Sequence, residues 1–133
     1  MESFEVAVVG MGALGSAATY HLARRGAKVV ALEQYELGHV RGASHDTSRI
    51  VRTSYGSSAY VRLAQSAYSD WADLEAESGE RLLTITGGVI FIPSDGPYSA
   101  SDFTTALTEC DVEHELLSPA EVQARWPQFR VPA

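Results

Sequence analysis

A glycine pattern between an apolar run and a helical pattern limits the folds open to this chain. Residues 4–10, FEVAVVG, form a short apolar run ending at glycine, which is typical of a strand buried on both faces of a parallel sheet. The sequence GMGALG begins at Gly10 and has the spacing GxGxxG. The next residues, SAATYHLARRG, have an apolar helical face and end at Gly26. This order predicts a strand, a tight glycine turn and a helix.

A second apolar run completes the pattern. Residues 27–33, AKVVALE, predict another buried strand, which ends at Glu33. A strand, turn, helix and strand within about 30 residues form a right-handed βαβ unit with parallel strands. The predicted fold class is therefore α/β, with a Rossmann-like βαβ unit at its start.

The glycines and the acid that follows them predict a dinucleotide site. Gly10 permits the tight turn, Gly12 lets the backbone approach a pyrophosphate, and Gly15 lets the helix pack closely on the strand. The phosphates then lie at the helix N-terminus, where unpaired N–H groups and the helix dipole favour negative charge. Glu33 is placed to accept a hydrogen bond from a ribose 2′-hydroxyl, which disfavours NADP. FAD and NAD remain equally supported, because they share the ADP half that this pattern binds.

Helical and strand patterns alternate along the rest of the chain. The helix predicted last has Ser118 as its N-cap, Pro119 at its first position and Glu121 closing a capping box. The predicted helices after the βαβ unit cover 58–79, 100–110 and 118–127, and the predicted strands cover 87–93 and 111–117.

Composition excludes several classes of partner. Ten Lys and Arg residues stand against 17 Asp and Glu residues, for a net charge of -7, so a basic surface for nucleic acid is not expected. The single cysteine, Cys110, cannot form an internal disulfide or a metal cluster, and we predict a partly buried helix end there and no metal site. The N-terminus carries Glu2 and Glu5 and lacks a signal-peptide pattern. With no apolar run of membrane-spanning length, we expect a soluble cytoplasmic protein and no membrane partner.

An arginine-rich segment, RGASHDTSRIVR, occupies residues 41–52 of this acidic chain, and Asp46 is its only acid. It begins just after the second predicted strand, on the side where the carboxyl ends of parallel strands face a ligand crevice. If a residue within 46–48 caps a helical turn, Arg49 and Arg52 share a face and can bind one anion. A carboxylate is the simplest such anion, because arginine pairs with it through two parallel hydrogen bonds. The alternative is a structural loop with exposed arginines.

These segments, in this order, resemble the start of the monomeric sarcosine oxidase family, within the D-amino acid oxidase superfamily. That family includes N-methyltryptophan oxidase and peroxisomal pipecolate and sarcosine oxidases. The resemblance extends over essentially all 133 residues, and SHDTSRIVR is its most specific part. The segments that carry it are the glycine pattern, Glu33, RGASHDTSRIVRTSY, the helix with Trp71, TGGVIFIP and RWPQFRVP.

The resemblance implies FAD as the cofactor and assigns roles to matching residues. His45 and Arg49 are implied to lie near the isoalloxazine ring, and Arg52 to pair with the substrate carboxylate. Asp46 departs from the family, which often has glycine there, and an acid at this position competes for Arg49 or Arg52. The implied cofactor-binding residues are Gly10, Gly12, Gly15, Glu33, Ser44 and Arg49, and the implied catalytic residues are His45, Arg49 and Arg52.

The implied reaction is the oxidation of a secondary amine or N-methyl amino acid, such as sarcosine, by oxygen to an imine and hydrogen peroxide. Its partners are the small amino acid or amine substrate and oxygen, and a peroxisomal location is implied for a eukaryotic source. Residues 1–80 correspond to the first part of an FAD-binding domain, and residues 81–133 to the start of an incomplete α+β substrate domain. We therefore expect a truncated chain that is inactive alone. The alternatives are a non-catalytic dinucleotide-binding module, an inactive fragment, or an NAD-dependent dehydrogenase, which the glycines alone support.

Overall fold

The computed structural model describes residues 2–93 and 95–131. The chain divides into two compact units, an N-terminal unit, Met1–Ile50, and a C-terminal unit, Val51–Ala133. The division between them lies ahead of the domain boundary predicted at residue 80, and that boundary stays a prediction.

The N-terminal unit is a βαβ unit. Strand β1 covers Val6–Val9, helix α1 covers Ala13–Arg24, and strand β2 covers Val29–Leu32. The two strands are parallel and in direct register, with Val6 opposite Val29. Helix α1 contacts both strands. The order and the parallel pairing confirm the α/β prediction for this part of the chain.

The apolar side chains of the N-terminal unit are only partly covered. None of its described residues is buried. At the carboxyl ends of the strands, Val9 is 82% exposed and Leu32 is 51% exposed, and Leu14 in the first turn of α1 is 89% exposed. Val9 and Leu32 are the last residues of the two strands and Leu14 lies in the first turn of α1, so the edge at which this fold binds ligands has an exposed apolar border.

The C-terminal unit is helical. Its helices are α2, Ser58–Ser78, α3, Ala100–Glu109, and α4, Pro119–Arg125. Helices α2 and α3 pack together. Cys110 caps the end of α3, as predicted, and at 6% exposure it is more fully buried than the partly buried position expected. The core consists of Val61, Ala106, Leu107 and Cys110, with the partly buried Tyr55 and Val112 against it.

The helix ends follow the sequence signals. Gly79 ends α2 in the left-handed conformation, with φ 72°. At the start of α4 the Ser118 hydroxyl accepts a hydrogen bond from the backbone N–H of Glu121, whose carboxylate in turn accepts from the Ser118 N–H. The predicted capping box, with Pro119 at the first position, is therefore confirmed.

Three local predictions are wrong. Residues 87–93 and 111–117 are not strands, and the only sheet among the described residues joins β1 and β2. A strand-like pattern gives only a local preference, and a strand also needs a neighbour to accept and donate its ladder hydrogen bonds. Residues 46–48 do not start a helical turn, so Arg49 and Arg52 do not share a helical face.

None of the described helices is both long enough and apolar enough to span a membrane.

Candidate functional site

The glycine turn joins the carboxyl ends of the two strands. Gly10 has φ 89°, a conformation that residues with side chains rarely adopt. Its N–H donates a hydrogen bond to the carbonyl of Leu32 at 2.7 Å. The turn therefore leaves β1 while still bonded to the end of β2.

Gly15 is required by close backbone packing. A Cβ atom added at Gly15 would overlap the carbonyl group of Gly10. The first turn of α1 thus passes directly against the glycine turn, and only a residue without a side chain fits this position.

Gly12 makes room for Ser44. A Cβ atom at Gly12 would lie 2.9 Å from the Ser44 hydroxyl oxygen. That oxygen accepts a hydrogen bond from the backbone N–H of Ala13, the first residue of α1, at 2.9 Å. A hydroxyl that accepts through its oxygen still has its own proton to donate. Ser44 therefore lies at the helix N-terminus with a donor available for a ligand.

The start of α1 has further N–H groups without partners. Its N-cap residue, Gly12, makes no side-chain cap bond, and no acidic residue lies in its first turn. Within the described part of the chain, the N–H groups of Leu14 and Gly15 find no acceptor. Unpaired N–H groups and the helix dipole together make a site that favours an anion.

The carboxylate of Glu33 links the glycine turn to the segment that follows β2. Its Oε2 atom accepts a hydrogen bond from the N–H of Met11 in the glycine turn at 2.8 Å. Its Oε1 atom accepts from the N–H groups of Gln34 and Tyr35, at 2.7 and 3.2 Å. Each carboxylate oxygen can accept two hydrogen bonds, so Oε2 has capacity for one more.

These hydrogen bonds keep Glu33 ionised. The Met11 N–H holds the pKa of the Glu33 carboxyl below its ordinary value, and the N–H groups of Gln34 and Tyr35 and the nearby His39 lower it further. At neutral pH Glu33 is therefore a negatively charged acceptor facing the glycine turn.

Arg49 is bonded to its own loop. Its guanidinium donates to the carbonyl of Ala43 at 2.8 Å, to that of Ser48 at 3.1 Å, and also to that of His45. Its Nη1 atom lies 3.4 Å from a carboxylate oxygen of Asp46. The loop between Ser44 and Arg49 is thus closed by the side chain predicted to contact the flavin.

Asp46 and His45 complete this loop. The pKa of the Asp46 carboxyl lies below its ordinary value, because the Thr47 N–H and then the Arg49 guanidinium stabilise the charged form. The Nδ1–H group of His45 donates to the Gly42 carbonyl at 2.8 Å. The acid that departs from the family pattern is therefore paired with Arg49, as expected for one of the two arginines.

Arg52 belongs to the C-terminal unit. Its guanidinium carbon lies 4.8 Å from the centre of the Tyr55 ring. No carboxylate of a described residue lies within ion-pair distance of it. A shared anion site between Arg49 and Arg52 stays a prediction, because the two residues lie in separate units.

The structure brings together five of the predicted site residues around the glycine turn, namely Gly10, Gly12, Gly15, Glu33 and Ser44.

The sequence predictions missed His39. Its Nε2 atom lies 3.8 Å from Oε1 of Glu33, and the two side chains are 21% and 18% exposed. No periodic pattern marks His39, since it lies in an irregular segment after β2. Only the distance of six residues from a predicted ribose-binding acid draws attention to it.

The residues present fit the ADP moiety of a dinucleotide. At Gly12 the backbone carries no side chain, and unpaired N–H groups and the Ser44 hydroxyl lie next to it. An ionised carboxylate with a free lone pair lies beside it at Glu33. These groups match a pyrophosphate and a ribose hydroxyl, respectively.

Comparison with known proteins gives one family and a consistent set of relatives. Residues 5–133 match the family described as FAD dependent oxidoreductase. Monomeric sarcosine oxidase of Streptomyces avermitilis is 39% identical over 126 residues, covering 94% of this chain and 33% of the relative. Peroxisomal sarcosine oxidase of Homo sapiens is 35% identical over 129 residues, covering 97% of this chain and 33% of the relative.

A third relative is the N-methyl-L-tryptophan oxidase of Citrobacter koseri, which is 30% identical over 130 residues, 97% of this chain and 35% of the relative. The chain spans about a third of the length of these curated relatives.

Proposed function

The chain belongs to the FAD dependent oxidoreductase family, and we propose that it supplies the ADP-binding part of the FAD site in an oxidase of the sarcosine oxidase type. The observation that carries the proposal is the Glu33 carboxylate, hydrogen-bonded to the glycine turn at the N–H of Met11. This contact supports the proposal, because a carboxylate beside a helix N-terminus that favours a pyrophosphate suits a ribose hydroxyl.

In this proposal each group of the site has its own part of the cofactor. Oε2 of Glu33 accepts from a ribose hydroxyl with its remaining lone pair. The N–H groups of Leu14 and Gly15 bind pyrophosphate oxygens, and the Ser44 hydroxyl donates to another. The missing side chain at Gly12 lets the phosphates approach the backbone, and that at Gly15 lets α1 pack against the glycine turn.

The bound flavin would supply two-electron oxidation of the substrate and transfer of those electrons to oxygen. The chain would orient the two reactants. His45 and Arg49 would lie toward the flavin ring. A positive charge there would stabilise the negative charge of the reduced flavin. Arg52, without an ion pair among the described residues, would bind a substrate carboxylate.

The proposed substrate is a secondary amine that carries a carboxylate. Two relatives are named for sarcosine oxidation and one for N-methyl-L-tryptophan oxidation. Such a substrate offers an anion to Arg52 and an N-methyl amine to the flavin. The cytoplasmic or peroxisomal location and the domain boundary at residue 80 belong to the same proposal.

A chimeric enzyme tests the activity directly. This chain replaces the matched 126-residue region of the Streptomyces avermitilis relative, and peroxide formation is followed with sarcosine and with glycine, which lacks the N-methyl group. We expect bound FAD and sarcosine-dependent peroxide. A folded chimera that binds FAD but makes no peroxide with sarcosine or N-methyl-L-tryptophan would contradict an oxidase role and support a non-catalytic module.

A further inference from the structure

His39 lies where it can control the orientation of Glu33. The N–H of Arg41 donates to Nδ1 of His39 at 3.0 Å. Nδ1 is therefore the acceptor, so the ring carries its proton on Nε2. Nε2 lies 3.8 Å from Oε1 of Glu33. The hydrogen bond on one side of the ring thus turns the Nε2–H group toward the carboxylate on the other side, at a distance longer than a hydrogen bond.

Packing holds the His39 ring in this orientation. The rings of Tyr35 and His39 meet edge to face, with 4.9 Å between their centres. The guanidinium of Arg41 lies over the Tyr35 ring, with the guanidinium carbon 4.9 Å from the centre of that ring. The N–H of Tyr35 donates to the same Oε1 atom of Glu33, at 3.2 Å. Tyr35, His39 and Arg41 therefore contact one another beside Oε1 of Glu33, and we call these three residues the histidine cluster.

We propose that His39 is a positioning residue for cofactor binding, which holds Oε1 of Glu33 in the histidine cluster and so leaves Oε2 directed at the ribose. This inference rests on the proposed function, because it requires a ribose at Glu33. It adds a residue and a mechanism that the glycine pattern does not contain. Without His39, Oε1 keeps the N–H groups of Gln34 and Tyr35 but loses the ring beside it. We expect the carboxylate then to tilt, so that the ribose hydroxyl loses an acceptor of fixed direction.

The test compares ADP with 2′-deoxy-ADP as ligands of the purified chain, by isothermal titration calorimetry. The ratio of their dissociation constants reports the contact with the 2′-hydroxyl. In the unaltered chain we expect 2′-deoxy-ADP to bind roughly tenfold more weakly than ADP. In His39→Ala this ratio falls toward one. A merely structural role of His39 would weaken both ligands equally and leave the ratio unchanged.

Two conservative variants keep the test decisive if His39→Ala unfolds by circular dichroism. An asparagine can accept from the Arg41 N–H in place of Nδ1 but does not reach Glu33, whereas a glutamine amide can take the place of Nε2. We expect His39→Gln to retain most of the ratio and His39→Asn to lose it. His21→Ala, on the exposed surface of α1, is the control and keeps the ratio.

The outcomes separate this inference from the proposed function. If the unaltered chain binds neither FAD nor ADP, the proposed function fails and the His39 inference fails with it. If the unaltered chain discriminates between the two ligands and all His39 variants discriminate equally, only the inference is overturned. Loss of the ratio in His39→Ala and His39→Asn, with its retention in His39→Gln, supports the inference.

Discussion

Oε2 of Glu33 accepts a hydrogen bond from the backbone N–H of Met11 at 2.8 Å, across 22 residues of sequence. The contact ties the end of β2 to the glycine turn that follows β1. It also fixes one carboxylate oxygen beside the start of α1. The candidate site depends on this one relationship more than on any other, because it brings the proposed ribose acceptor next to the proposed pyrophosphate site.

Removing the charge of Glu33 is expected to weaken FAD binding by roughly tenfold or more, because a hydrogen bond to a charged acceptor is stronger than one to a neutral amide. Glu33→Gln keeps the shape of the side chain but loses the carboxylate. Fluorescence titration with FAD measures the effect. Glu36→Gln, which changes an exposed acid in the same turn, is the matched control. Equal FAD affinity in the two variants would rule out Glu33 as the ribose acceptor.

Glu33 also predicts a pH dependence. Its pKa lies below the ordinary value of 4.5, chiefly because of the Met11 N–H. Because the pKa of Glu33 is lowered, the carboxylate makes its full contribution to FAD binding above pH 4.5. That contribution is lost as the pH falls through the pKa of Glu33 in the folded state. FAD affinity should therefore stay constant from neutral pH to 4.5 and then fall. Titrations with circular dichroism at each pH check this, and Glu33→Gln should lack the affinity change attributable to this group.

Gly15→Ala is expected to abolish FAD binding. The added Cβ would overlap the carbonyl of Gly10, and backbone at the glycine turn would have to move away from the phosphates. Gly88→Ala is the control, because nothing lies within 4 Å of a Cβ at that position. Unchanged FAD affinity in Gly15→Ala would show that the phosphates do not bind at this turn.

Arg52→Lys tests the substrate side in the chimeric enzyme. A lysine keeps the charge but cannot form the two parallel hydrogen bonds that arginine makes with a carboxylate. We expect KM for sarcosine to rise roughly tenfold with FAD affinity unchanged. Arg62→Lys, on the exposed surface of α2, is the control. If KM for sarcosine is the same in both variants, Arg52 does not bind the substrate carboxylate.

The sequence predicts the βαβ unit well because its signals are local. The apolar runs, the glycine spacing and the cap residues each determine nearby backbone, so β1, α1, β2 and the capping box at Ser118 follow from them. The strands predicted at 87–93 and 111–117 fail because pairing depends on a partner strand elsewhere. Local pattern does not supply that partner.

In the candidate site, too, the sequence predicts what local signals determine and misses what depends on distant contacts. The positions of Gly10, Gly15 and Glu33 relative to one another come from the βαβ geometry, which the sequence predicts. The Ser44 contact with the Ala13 N–H and the place of His39 depend on the path of an irregular loop. Such a path is set by side-chain hydrogen bonds, including those of Arg49, and no periodic pattern encodes it.

The central claim is that this chain binds FAD through its ADP moiety. The most direct measurement is titration of the purified chain with FAD, followed by flavin fluorescence, with ADP or NAD then added as a competitor. We predict saturable FAD binding that ADP displaces and that NAD, which shares the ADP half, displaces in the same way. No saturable binding, or FAD binding that excess ADP leaves unchanged, would contradict the claim.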